Sequence, residues 1–224
     1  MRFLRTSTAS TFRSVERAVR WIPPWVLLLA LGLPILIFGW MGIVQRLDQS
    51  GGWRLFNLDS ERAVATYYSA GLAWVAAGLV AVAAATKALP RWAWAFAGVL
   101  AFVALDDGNA IHERLQRLSG VDWQVLYLPV LAFGGLAGWQ LWRSRPADVP
   151  RRFLSLGALS WTVALILEPI QHWGGQPVAF YDPLMVSEEI LEMVGAVCFA
   201  LAAAAVIRSL GELPQPKRLS PKRG

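Results

Sequence analysis

Six apolar blocks, each close to twenty residues long, leave this chain few folds to choose from. They run from Trp25 to Val44, Ala63 to Ala85, Trp92 to Glu113, Val125 to Trp142, Phe153 to His172 and Leu184 to Ile207. About 20 apolar residues in a helix cross the ~30 Å hydrocarbon core of a bilayer. Backbone inside that core must satisfy its own hydrogen bonds, so only helices and closed barrels span it. A barrel needs polar residues at alternate positions, and the blocks have no such period. The expectation is an all-α, polytopic membrane bundle of six transmembrane helices. Charged residues make up 16% of the chain, below the roughly 25% of soluble proteins. The single cysteine, Cys198, excludes an internal disulfide and a cysteine-based metal cage.

Orientation follows from the placement of arginine and lysine. With the N-terminus inside, 16 of the 21 basic residues fall on cytoplasmic segments, and only Arg46, Arg54, Arg62, Arg114 and Arg117 fall outside. Both termini are therefore expected in the cytoplasm, with the chain a multi-pass protein of a bacterial cytoplasmic (inner) membrane. The net charge of +6 follows this topology, so no nucleic-acid partner is expected. The partners are the lipid bilayer and the anionic headgroups at the basic face. Residues 1–20 read as a basic cytoplasmic segment, 21–210 as the transmembrane domain, and 211–224 as a disordered basic tail. The first block is too long for the apolar core of a signal peptide and no small-residue cleavage site follows it, so it reads as a retained helix.

Acids and histidines interrupt three of the blocks. The third carries Asp106, Asp107, Asn109, His112 and Glu113; the fifth carries Glu168, Gln171 and His172; the sixth carries Glu188, Glu189 and Glu192. A charge at mid-bilayer costs at least ~2.5 kcal/mol, so such residues need partners or a function. The third and fifth helices run outward with these groups late; the sixth runs inward with them early. All three clusters therefore share one layer in the outer half of the membrane. Helical phase puts Glu188, Glu189 and Glu192 on one arc, and Glu168 and His172 on one face. On a continuous third helix, Asp106, Asn109 and Glu113 form a stripe with Asp107 and His112 on opposite flanks. Asp182-Pro183 reads as the cap and first residue of the sixth helix, and Pro169 frees a carbonyl in the fifth that a site can use. Before the second helix, Asp59 or Ser60 reads as a cap and Glu61 is placed to join the layer.

Seven acids against two histidines leave a deficit of positive charge. Either several acids hold protons or a divalent metal supplies the charge, and mixed carboxylate and imidazole ligands suit zinc, manganese or iron. On the metal reading the ligands are Asp106, His112, Glu113, Glu168, His172 and Glu192, with Glu188 or Glu189 as general base in a membrane enzyme acting on a lipid or other amphiphile. The alternatives are a proton- or cation-coupled transporter using the same acids, and a non-catalytic subunit of a membrane complex. Gly134, Gly135 and Gly138 permit close helix contact, within the bundle or with a partner. A solvated layer beyond early helix ends is the plainest alternative.

The segments FNLDSE, LDDGNAIHERL, EPIQHWG and SEEILEMVGA, over about residues 54 to 200, resemble a group of uncharacterised bacterial multi-pass membrane proteins. That group carries Asp-Glu-x-x-x-x-His-Glu late in the third helix and Glu-Glu-x-x-Glu-Met-x-Gly early in the last. Asp106, His112, Glu113, Glu188, Glu189 and Glu192 match its pattern, and Asp107 stands where it has glutamate. The resemblance implies a shared polar site and carries no activity. Membrane hydrolases related to alkaline ceramidases need three histidines, and this chain has two.

Overall fold

The computed structural model describes residues 2–47, 58, 63–144, 148–171 and 176–210. These form eight helices and, among the described residues, no strand. They are α1 (Arg2–Trp21), α2 (Pro24–Leu47), α3 (Val64–Ala85), α4 (Trp92–Asn109), α5 (Ile111–Ser119), α6 (Trp123–Arg143), α7 (Asp148–Gln171) and α8 (Tyr181–Ser209). Five of them are long and apolar enough to cross a membrane, and six spans result if α4 and α5 count as one broken span. Residues 211–224, Asp59, Ser60, Glu61 and His172 all lie outside the described residues.

α8 is the central helix and packs against α7, α3 and α2, while α4 lies on α3 and α6 lies on α4. Small residues make this possible. In a bilayer the hydrophobic effect gives helices little reason to associate, so close backbone approach and van der Waals contact must do it. Ala76, Ala83, Ala93, Ala200, Ala203 and Ala204 form a buried core with Leu100, Phe96 and Ile207. Gly157 and Gly195 set the α7–α8 crossing. A Cβ at Gly195 would run into the Trp161 ring, and one at Gly157 would meet the Phe199 ring at 2.6 Å. The Trp161 indole seated there donates Nε1–H to the Glu192 carbonyl at 2.9 Å. Two of the glycines of α6 serve the bundle's own packing: a Cβ at Gly134 would meet Val99 at 3.0 Å and one at Gly138 would meet Phe96 at 3.3 Å, both on α4.

The basic segment 1–20, read from the sequence by its charge, is helical: α1 lies against the bundle, with Val19 buried in the core and Phe12 edge-on to Trp94 at 6.5 Å. An Arg208 guanidinium N–H donates to the Ile22 carbonyl and ties the end of α8 to the α1–α2 junction. The third block is not one helix to Glu113. It ends at Asn109, Ala110 takes the left-handed conformation (φ 49°, ψ 48°), and α5 leaves at 75°. Asp182-Pro183 is not the start of the last helix, which begins at Tyr181 with Phe180 as its cap residue.

Replacing Gly195 by alanine should lower stability by about 1–3 kcal/mol, the usual cost of an added methyl in a packed interior. Gly98, with nothing within 4 Å of its added Cβ, is the control. Thermal midpoints in detergent should fall for Gly195→Ala and hold for Gly98→Ala.

Candidate functional site

The break at Ala110 builds the first part of the site. An L-residue in the left-handed region is held there at a cost of roughly 1–2 kcal/mol, so the surrounding contacts must favour it. Asp106, in the last turn of α4, supplies them. Its Oδ1 accepts the backbone N–H of His112 at 2.8 Å, and its Oδ2 lies 3.0 Å from His112 Nδ1. One carboxylate thereby caps the start of α5 and fixes the imidazole. Tyr127 on α6 donates its hydroxyl to the same Oδ1 at 2.9 Å. The His112 and Trp123 rings lie 5.2 Å apart, and Trp123 meets Tyr127 edge-on at 5.5 Å.

A second station joins α6 to α7. Glu168 accepts Trp123 Nε1–H at 2.6 Å and Gln124 Nε2–H at 2.9 Å. Gln124 Nε2 also donates to the Leu165 carbonyl at 3.3 Å. Pro169 has no N–H to offer that carbonyl four residues back, so the proline frees an acceptor and the site uses it. At the third station the Gln171 amide on α7 donates to the Glu188 carboxylate on α8.

These stations line a cavity of about 1170 Å³ between α4 and α6 on one side and α7 and α8 on the other. Its wall carries all seven acids that interrupt the apolar blocks: Asp106, Asp107, Glu113, Glu168, Glu188, Glu189 and Glu192. His112 and Arg117 stand with them. Glu192 is the deepest of the acids along α8, eleven residues and about 16 Å from Tyr181. Glu113 belongs to the rim: it is on α5, 44% exposed at its side chain, and lies 3.5 Å from Arg117. Because α5 turns away from α4, Asp106 and Glu113 do not form a stripe, and Asp106 and His112 meet instead. Among the described residues no three histidine, cysteine, aspartate or glutamate side chains stand together as a metal-holding group. His172, one of the expected ligands, lies beyond those residues.

Away from the acid layer the wall becomes apolar and aromatic, with Val130, Leu131, Trp139, Trp142, Leu154, Trp161 and Phe199. Trp123, Gln124 and Tyr127 were not expected as site residues. Their signal was available in position, since they open α6 at the depth of the acids, one helical turn apart.

The model of a domain of unknown function, DUF8692, matches residues 20–207. The chain belongs to that family. The match takes in all six apolar blocks and every residue of the acid layer, and leaves α1 outside except for its last two residues. No curated protein and no solved structure matches the chain.

The Tyr127–Asp106 bond is testable as a tie between α4 and α6. Tyr127→Phe should cost about 1–2 kcal/mol, since it leaves an inward-facing carboxylate oxygen one donor short. In a double-mutant cycle with Asp106→Asn, thermal unfolding should show the two changes coupled by at least about 0.5 kcal/mol.

Proposed function

We propose that this protein is a multi-pass protein of the bacterial cytoplasmic membrane that takes an amphiphile with a cationic head from the bilayer and holds that head in the acid layer. The arginine and lysine bias supports placing this layer in the outer half of the membrane. The observation that carries the reading is the wall of the cavity: seven acids with His112 and Arg117 at one end, and apolar and aromatic side chains over the rest. Binding sites for small molecules are apolar clefts with a few convergent polar groups, and this cavity grades from one character to the other along its length.

The polar end favours a cation for two reasons. The cavity wall holds seven acids with His112 and Arg117, and the tyrosine, tryptophan and amide donors on Asp106, Glu168 and Glu188 orient carboxylates without adding positive charge. The aromatic rings of Trp123 and Tyr127 stand beside them, and aromatic faces attract ammonium groups. An amine or quaternary ammonium head meets both.

The excess of acids also favours a second reading, a divalent zinc, manganese or iron ion completed by His172, with Glu188 or Glu189 as the base of a membrane enzyme. Elemental analysis of the purified protein separates the two: stoichiometric metal, with amphiphile binding that needs it, is the outcome of the second. For the first, a long-chain trimethylammonium probe should bind the protein in nanodiscs saturably, and a sulfonate of equal chain length should not. Glu192→Gln should weaken the trimethylammonium probe about tenfold or more, as contacts to a charged group contribute about 1.5–3 kcal/mol. Equal binding of the sulfonate would refute the cationic reading.

A further inference from the structure

The cavity is as long as the membrane is thick. Its wall on α6 recurs at helical spacing from Trp123 to Trp142, 19 residues or about 28 Å of helix axis. On α7 it runs from Leu154 to Gln171, 17 residues or about 26 Å. Both approach the ~30 Å of a hydrocarbon core. A head group needs only the acid end, so the rest of the groove requires an explanation of its own.

Its far end is a fixed floor. Trp139 and Trp142 stack at 5.2 Å with an interplanar angle of 11°. Arg151 sits over Trp142 at 4.8 Å and donates Nε–H to its carbonyl at 3.1 Å. Between these tryptophans and the acid layer the walls are mostly apolar, with Ser155 and Thr162 on α7 among them. Gly134 and Gly138 are accounted for by the approach of α4, but Gly135 is not: nothing lies within 4 Å of a Cβ added there, and it lines the cavity. Gly71, Gly78 and Gly98 are equally open inside their helices, and of these four it is Gly135 that lines the cavity. Ala158 on α7 is a small apolar residue of the other wall. The deep carboxylate of Glu192, with no side-chain hydrogen bond or ion pair among the described residues, lines the same groove.

We infer that the occupant is a single long-chain amphiphile whose tail lies along α6 and α7 and ends at the Trp139–Trp142 floor, with Gly135 and Ala158 as the positions that admit the tail. This rests on the cationic-head reading above. Transfer of a tail from lipid into an apolar groove gains little, because lipid tails are as apolar as the wall. Selection by length is therefore steric: the groove accepts tails that fit and rejects those it obstructs.

Octyl- and hexadecyltrimethylammonium, titrated into the full chain in nanodiscs, test this directly. The wild type should bind both. Gly135→Leu should leave the octyl probe within about twofold and weaken the hexadecyl probe at least about tenfold, the scale of one misfitting group in a packed site. Ala158→Leu, from the opposite wall, should do the same, and retained octyl binding shows that either variant is folded. Glu192→Gln should weaken both probes by a common factor. If the leucine variants weaken both probes alike or neither, the tail assignment is overturned while the head reading stands. If the wild type binds neither probe, the head reading itself fails.

Discussion

Asp106 accepts three donors from two other elements, and much of the polar end of the bundle depends on that. A carboxylate within a span has no water to turn to, and its cost falls only when donors are supplied by the protein. Here the donors are the backbone N–H and the imidazole of His112 on α5 and the hydroxyl of Tyr127 on α6. Satisfying the carboxylate therefore forces the chain to turn at Ala110, lays α5 across the end of α4, and brings α6 alongside. The unfavourable left-handed alanine follows from this. Three good bonds to an inward-facing carboxylate outweigh one strained residue.

The remainder of the bundle divides by side-chain size. α3, α7 and α8 meet through alanine and glycine, with Gly157 and Gly195 leaving room for the rings of Phe199 and Trp161. α4 and α6 meet through Gly134 and Gly138. Between the two assemblies α6 and α7 are joined chiefly at the acid end, by Trp123 and Gln124 reaching Glu168 and Leu165. The cavity lies where small residues do not draw the helices together, and polar bonds at one end keep its walls from separating.

The spans were legible because hydropathy and length report directly on the solvent, and five of the six blocks recur as single helices within a few residues at most ends. The convergence of the acids followed from topology alone, since alternating spans fix depth whatever the packing. The break in the third block was not legible. Ala110 is a good helix former, and nothing local marks it as left-handed; the cause is Asp106 acting through tertiary contacts. Helical phase computed across that break placed Asp106 and His112 on different flanks, whereas the turn makes them partners. Pro169 was readable as the source of a free carbonyl, but its partner, Gln124, sits 45 residues earlier on another helix. The helical form of residues 2–21 was obscured by its many arginines, which describe the basic face and say little of the face carrying Phe12 and Val19.

What separates the acids from one another is the kind of donor each meets. The donors on Asp106, Glu168 and Glu188 fix geometry and join helices, as a structural role requires. Glu192 accepts a cross-helix bond at its backbone carbonyl, from Trp161, and its side chain belongs to the cavity wall. If structure alone had been at stake, a glutamine or leucine at that depth would have avoided the cost of a carboxylate inside a span. The groove below it, with stacked tryptophans at its far end, has the complementary character: its wall is mostly apolar, with Ser155 and Thr162 as its hydroxyl side chains on α7. A carboxyl group at one end and a largely apolar stretch at the other make sense together when a single molecule has to satisfy both.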